Sequence, residues 1–365
     1  MPPSSPDAKR QVIVVGGGGA GNEVAALLSK KLDPARHALT LLTARPFNVW
    51  LPSTPRMAVT SEGAFEEKVF APYDRLLKGT GKVRTGRAIA VEEKTPGAGG
   101  YVVLQDGESV RYDVLVLAPG MRWDGPLAYP DTKEAALRHV REWREKFENA
   151  KTVVMAGGGP VNIEIAGEIK YYYPGNSVTI VQSGHLPLNK VYPDRFRSTV
   201  ESRIRQRGVE FVFGDYLDET ETKDGFVRTR KGKVLPADLV VSSTGGTPNT
   251  EFIKTLDSDI VTSYGRVRVD DKLQVLGHPG VFCIGDIVDN TERLGLNKYA
   301  PSHEYGGTTE TISISMGKTG GAAYAAVLWG LIAPIWLVRI GKARTMGVNG
   351  ARWRMGYGFF ESLFA

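Results

Sequence analysis

Cysteine is almost missing from this 365-residue chain: Cys283 stands alone. One thiol cannot make an internal disulfide, a CxxC redox pair or a thiolate zinc site, so dithiol chemistry is excluded. Histidine is sparse as well. His37, His139, His185, His278 and His303 are scattered without ligand spacing, which argues against a structural metal. MPPSSPDAKRQ lacks the apolar core of a signal peptide, and Pro2 stands where myristoylation requires glycine. A cytoplasmic protein is therefore expected. A large excess of one charge is lacking too. Lys and Arg number 46 against 40 Asp and Glu, a net +6 that can attract anionic cofactors or a membrane surface without indicating nucleic acid. The 42% hydrophobic and 24% charged content is ordinary for a globular chain with a full core, and the length suggests more than one domain.

Long apolar runs are missing with one exception. Ala322 to Val338, AAYAAVLWGLIAPIWLV, carries no charge but falls short of the ~20 residues of a spanning helix, and Gly330 and Pro334 interrupt it. Arg339, Lys342, Arg344, Arg352 and Arg354 follow, interleaved with Trp353, Tyr357, Phe359 and Phe360. The favoured reading is a buried helix closing the C-terminal core. The other is an interfacial anchor, with aromatics at headgroup depth and basic residues on anionic lipid.

What is present is a repeated strand–glycine–helix signature. Gln11 to Val15 reads as a strand, Gly16-Gly17-Gly18-Gly19-Ala20-Gly21 as a tight turn, and Asn22 to Leu32 as a helix with apolar Val24, Ala25, Leu27 and Leu28. In that context the glycines turn the chain, admit a pyrophosphate close to the backbone and let helix and strand pack closely. The helix N-terminus then offers free N–H groups to the phosphates. Ala38 to Leu42 gives the next strand. The second copy has Thr152 to Met155 as strand, Gly157-Gly158-Gly159-Pro160-Val161-Asn162 as turn, Ile163 to Tyr171 as helix and Val178 to Val181 as strand. Asn162 replaces the third glycine there, so slightly looser packing is expected. Either copy alone could be an ordinary βα turn; two with matching downstream strands point to two nucleotide folds. Tyr112 to Gly120 and Ala237 to Gly245 each read as a buried strand ending in a glycine turn. Gly280-Val-Phe-Cys-Ile-Gly-Asp286 is a further strand that delivers an acid at its carboxyl end. That acid could receive sugar-alcohol hydroxyls or merely cap a turn.

These residues resemble the two-dinucleotide-binding flavoprotein oxidoreductases, within them the apoptosis-inducing-factor-like group, and most of all the ferroptosis suppressor type of quinone reductase. The likeness rests on Glu164-x-Ala-Gly-Glu-Ile-Lys170 running to Val178-Thr179, on Pro55-Arg56-Met-Ala-Val, and on Ser315-Met316-Gly317-Lys318 with the basic tail. It covers residues 11 to 355. It implies an α/β chain of glutathione-reductase-like architecture with two Rossmann-like domains and a short C-terminal extension. The FAD-binding domain would take 11–124 and 246–300, the NAD(P)-binding domain 125–245, with a flexible 1–10 and a C-terminal segment 301–365. By the same resemblance Gly16 to Ala20 cradle the FAD pyrophosphate, Arg56 contacts the flavin nucleotide, Ala88 offers backbone near the adenine, and Asp286 holds the ribityl chain. Gly157, Gly159 and Pro160 hold the NAD(P) pyrophosphate, and Glu164 lies near the nicotinamide carboxamide unless it is simply a surface carboxylate.

Four features depart from the group's pattern, one being Pro119 of Ala118-Pro119-Gly120, where the group usually has Thr. Thr43 stands where an Asp or Glu meets the flavin ribose. Gln182 stands at the matching NAD(P) position; being neutral, it does not repel a 2′-phosphate and admits NADPH as readily as NADH. The long helix expected after Asp286 is replaced by Ile287 to Lys298 before Tyr299-Ala300-Pro301. The resulting expectation is an FAD-dependent NAD(P)H oxidoreductase in which hydride passes to the flavin and electrons pass on. With dithiols excluded the acceptor is a quinone, a small electron-carrier protein or oxygen, and the apolar aromatic tail favours the quinone. The alternative is a binding or signalling protein of the apoptosis-inducing-factor type with weak or no redox activity.

Overall fold

The computed structural model describes residues 8–77, 80–242, 245–289, 310–327 and 330–357. Short runs of valine, isoleucine and leucine, apolar on successive positions, form strands covered on both faces, as parallel sheets require. The elements that frame the site begin with β1 (Arg10–Val15), α1 (Gly19–Lys31), β2 (His37–Thr43), α2 (Thr54–Val59), β3 (Lys82–Thr85), β4 (Val114–Leu117) and α3 (Lys133–Asn149). Next come β5 (Thr152–Ala156), α4 (Pro160–Tyr172), β6 (Ser177–Gln182), α5 (Asp194–Arg205), β7 (Val209–Phe213) and β8 (Leu239–Ser242). Last are β9 (Val281–Cys283), β10 (Thr311–Ser315), β11 (Gly321–Ala325), β12 (Leu331–Ile332) and α6 (Ile335–Val338).

The first sheet is parallel, in the order β3-β2-β1-β4-β9. The second repeats the plan as β7-β6-β5-β8. Both are Rossmann-like, and both glycine turns sit where the strand order reverses. A ligand crevice forms at such a point. Along β1 the side chains alternate: Ile13 and Val15 join one core with Leu115, Leu117 and Cys283, while Val12 and Val14 join another with Leu39, Leu41 and Val116. Each buried aliphatic side chain contributes about 1.5–3 kcal/mol. The second sheet packs Val153 and Met155 on Ile163, Ala166 and Ile169 of α4.

The apolar run Ala322–Val338 is not one helix, which corrects the expectation of a single buried helix there. Gly330 turns the chain at φ +84° and Pro334 cannot continue a helix, so the run divides into two strands of an antiparallel sheet, β10-β11-β12, and the short α6. Ala322 and Val338 are buried, but Leu331, Ile335, Trp336 and Leu337 are exposed. Among the described residues no helix is long and apolar enough to cross a membrane. The segment beyond residue 310 joins the parts of the molecule: Ile314, Met316 and Ala322 enter the second core, Met346 and Val348 pack with Phe47 and Met57, and Met355 and Tyr357 pack on the first sheet. Most of the shortened stretch expected after Asp286 lies outside the described residues, as do Phe359 and Phe360.

Candidate functional site

Register sets the site. Val15 pairs with Leu42 and Leu117, Leu117 with Cys283, and Thr43 with Thr85, so the strands of the first sheet end level. The turns that follow line one cleft of about 710 Å³. Gly16, Gly17, Gly18, Gly19 and Ala20 lie at its centre; Thr43, Arg45, Arg87 and Ala88 line it toward β2 and β3; Asp286 lines it toward β9. Four strand spacings of ~4.8 Å separate those two ends by roughly 19 Å. The cleft suits an elongated ligand.

The glycine turn has the shape that an anion needs. The Gly16 N–H donates to the Leu42 carbonyl at 2.8 Å, and Gly157 repeats the bond to Val181 at 2.8 Å. Both glycines have positive φ, +114° and +91°, which disfavours any side chain. A Cβ on Gly16 would stand 2.1 Å from the Ala118 carbonyl oxygen. Gly21 does not line the cleft; its Cβ would stand 1.9 Å from the Gly16 oxygen, so it serves the close approach of α1 to β1. At Gly18 and Gly19 an added Cβ meets nothing within 4 Å, because both face the open cleft. There α1 begins, with no side-chain cap and no acid in its first turn. Its free N–H groups and the positive end of its dipole are the donors a pyrophosphate requires. Tyr73 donates its hydroxyl to the Gly17 carbonyl at 2.7 Å, and burial, pushing its pKa up to about 12, keeps it a donor.

The end of the cleft toward β2 and β3 holds groups that the sequence reading passed over. Thr43 is buried and donates to the Arg45 carbonyl at 3.1 Å, so the end of β2 supplies no carboxylate. Arg45, Arg87 and Asp131 stand beside it in the cleft. Arg45 was legible as the residue two beyond Thr43. Asp131 carried no signal, because only the fold returns the loop before α3 to β2.

At the second turn, α4 starts on Gly159, again without a side-chain cap or an early acid. Gly159 has open space where a Cβ would lie, and Pro160 takes the first helical position. Asn162 does not loosen the packing. It is fully buried and its Nδ2 donates to the carbonyls of Ala156 and Gly157 at 2.7 and 2.8 Å, so the side chain closes the turn that a glycine would leave open. Gln182 is engaged by the turn: its Oε1 accepts from the Gly158 N–H at 2.8 Å and its Nε2 donates to the Leu186 carbonyl at 3.3 Å.

Two expected site residues are held by contacts within the chain. Glu164 is no surface carboxylate. It is buried, its Oε1 accepts from the backbone N–H and the hydroxyl of Ser315 at 2.9 and 3.1 Å, and Lys342 approaches the same oxygen at 2.7 Å. It anchors β10 and the tail to α4. Arg56 does not line the first cleft. It is fully buried, donating twice to Glu168 and to the carbonyls of Ala343 and Arg344 at 2.7 and 2.9 Å. Four of its five donors are thereby taken. The guanidinium is thus held by the carboxylate and the tail carbonyls and not presented to that cleft.

Two nucleotide folds in tandem, each with an uncapped helix behind a glycine turn, define a dinucleotide-dependent oxidoreductase. The chain matches the model of the pyridine nucleotide-disulphide oxidoreductases over residues 10–305 and belongs to that family. It is 36% identical over 318 residues to FAD-dependent oxidoreductase FVFD30 of Flammulina velutipes, covering 81% of this chain and 98% of that protein. It is 27% identical to ferroptosis suppressor protein 1 of Taeniopygia guttata, over 80% of this chain and 83% of the relative. In fold it is similar to the sulfide:quinone oxidoreductase of Aquifex aeolicus, with a TM-score of 0.70 over 95% of this chain and 91% of that one, at 16% identity.

Proposed function

We propose that this protein is an FAD-dependent NAD(P)H oxidoreductase that passes electrons to a quinone. The observation that carries the reading is the acid-free, uncapped start of α1, opening at Gly18 and Gly19 onto a cleft that reaches Asp286. Family membership and the FAD-dependent relative support it. FAD, when bound, supplies hydride acceptance from the nicotinamide and electron delivery to the acceptor.

The chain's own groups bind and orient. Gly16 to Ala20 hold the FAD pyrophosphate, Ala88 lies at the adenine, and the exposed Asp286 receives the hydroxyls of the ribityl chain. Gly157, Gly159 and Pro160 hold the pyrophosphate of NADH or NADPH. Gln182 brings no charge against a 2′-phosphate, so both nucleotides serve. In this reading residues 11–124 with 246–300 form the FAD domain, 125–245 the NAD(P) domain and 301–365 the extension. No side chain is needed as an acid or base.

Cys283 is buried and is the single cysteine of the sequence, so electrons do not leave through a dithiol. An apolar ridge of Ile335, Trp336, Leu337 and Ile340, flanked by exposed Arg339 and Arg344, supports an apolar acceptor met at the surface of anionic lipid. The test is colour. Purified protein should be yellow, release flavin fluorescence on heating, bleach under NADH or NADPH without oxygen, and recover when a soluble quinone is added. Colourless protein without flavin would leave a binding or signalling role instead.

A further inference from the structure

A dinucleotide fold ordinarily meets the adenosine ribose with a carboxylate at the end of its second strand. Thr43 removes it here. The fold brings another carboxylate to the same end of the cleft, from the loop before α3. Asp131 lines the cleft with Arg45, Arg87 and Ala88. Arg45 Nε lies 3.4 Å from Asp131 Oδ1, and Arg87 Nη2 pairs with Oδ2. Arg45 also grips the backbone that presents Asp131: Nη2 donates to the Tyr129 carbonyl at 2.6 Å and Nε to the Pro130 carbonyl at 3.2 Å. Arg87 comes from the end of β3, where the Gly86 N–H donates to the Thr43 carbonyl at 2.9 Å. Strand end, arginines and carboxylate therefore form one cluster.

We propose that Asp131, clamped by Arg45 and Arg87, replaces the missing strand-end carboxylate and receives the ribose hydroxyls of the FAD adenosine. The inference rests on the FAD reading above. The Asp131 side chain keeps 35% of its surface exposed, so its two oxygens, each contacted by one arginine, retain lone pairs for incoming hydroxyls. The two guanidinium groups hold it in one orientation. The opposite use of the arginines, to take a 2′-phosphate, needs their forks free, and here both are turned onto Asp131 and its loop.

The test measures FAD affinity by fluorescence during titration and release, comparing wild type, Asp131→Asn, and Asp131→Asn combined with Thr43→Asp. The asparagine variant should bind FAD about tenfold more weakly. Thr43→Asp, restoring a carboxylate at the strand end, should recover most of that loss. The thermal midpoint of the flavin-free protein should be the same in wild type and Asp131→Asn. Unchanged FAD affinity in Asp131→Asn, or a loss that Thr43→Asp does not rescue, overturns the assignment of Asp131 alone. A wild-type protein that takes up no FAD overturns the function reading, and this inference with it.

Discussion

Arg56 donates to Glu168 twice, from Nε to Oε2 at 2.8 Å and from Nη2 to Oε1 at 2.7 Å, and both side chains are fully buried. Arg56 belongs to α2 and Glu168 to α4, so the pair ties the element beside the first cleft to the helix of the second turn. Burial pushes the Glu168 carboxyl up, and the Arg56 bonds oppose that shift. Glu168→Gln would strand a buried guanidinium, at a cost of about 3–5 kcal/mol. Replacing both partners, Arg56→Met with Glu168→Leu, should cost less than the two single changes summed. Denaturant midpoints check both statements; a Glu168→Gln midpoint equal to wild type would show that the pair holds nothing together.

The two kinds of glycine in the first turn should separate under substitution. Gly18→Val faces the open cleft, so it should leave the unfolding midpoint of the flavin-free protein near wild type while abolishing flavin uptake, because the side chain fills the pyrophosphate space. Gly16→Ala must place a Cβ 2.1 Å from a carbonyl oxygen at φ +114°, so it should lower the midpoint itself. Normal flavin content in Gly18→Val would move the pyrophosphate elsewhere.

Glu66 accepts from Arg144 at 2.7 and 3.0 Å, and Arg144 also donates to the Met57 carbonyl at 2.9 Å. Burial would raise the Glu66 carboxyl, but the bonds from Arg144 outweigh it and hold the group below the usual range. A carboxyl lowered by folding contributes stability above its unfolded pKa and loses it as pH falls through the folded value. Glu66→Gln should therefore be less stable than wild type by about 1–2 kcal/mol at pH 7, and the gap should close below about pH 4. Unfolding curves across that range decide it; a constant gap would mean the charge is irrelevant.

Gln182→Glu keeps an acceptor for the Gly158 N–H and exchanges the donor to Leu186 for a charged oxygen. The ratio of kcat/KM for NADH over NADPH should rise about tenfold, equivalent to roughly 1.4 kcal/mol of repulsion against the 2′-phosphate. An unchanged ratio would take Gln182 away from the ribose.

Trp336 and Ile340 are 63% and 69% exposed on the ridge beside Arg339. Sedimentation with anionic vesicles should be strong at low salt and lost at high salt, since each basic residue near the surface contributes about 1 kcal/mol and is screened beyond the Debye length. Trp336→Glu should remove the binding without loss of solubility. Protein that ignores such vesicles at low salt ends the membrane reading.

Local pattern determined the two nucleotide folds. Strand, glycine turn and helix are encoded within some twenty consecutive residues, and apolar runs of that length pack in few ways, so the turns at Gly16, Gly18 and Gly157 and the place of Asp286 just beyond a strand were legible from order alone. What depended on distant partners was not. Arg56 reads as a cleft residue until Glu168 and the carbonyls of Ala343 and Arg344 close around it. Asn162 reads as a missing glycine until its amide is seen closing the turn. The tail reads as a helix because apolar composition does not record the hairpin pairing of Thr311–Ser315 with Gly321–Ala325 that satisfies its backbone. Asp131 reads as nothing until Arg45 and Arg87 converge on it. Hydrogen bonds and ion pairs between residues far apart in sequence leave no periodicity in either, and only the tertiary structure, by bringing the donors and acceptors within reach, decides which of them meet.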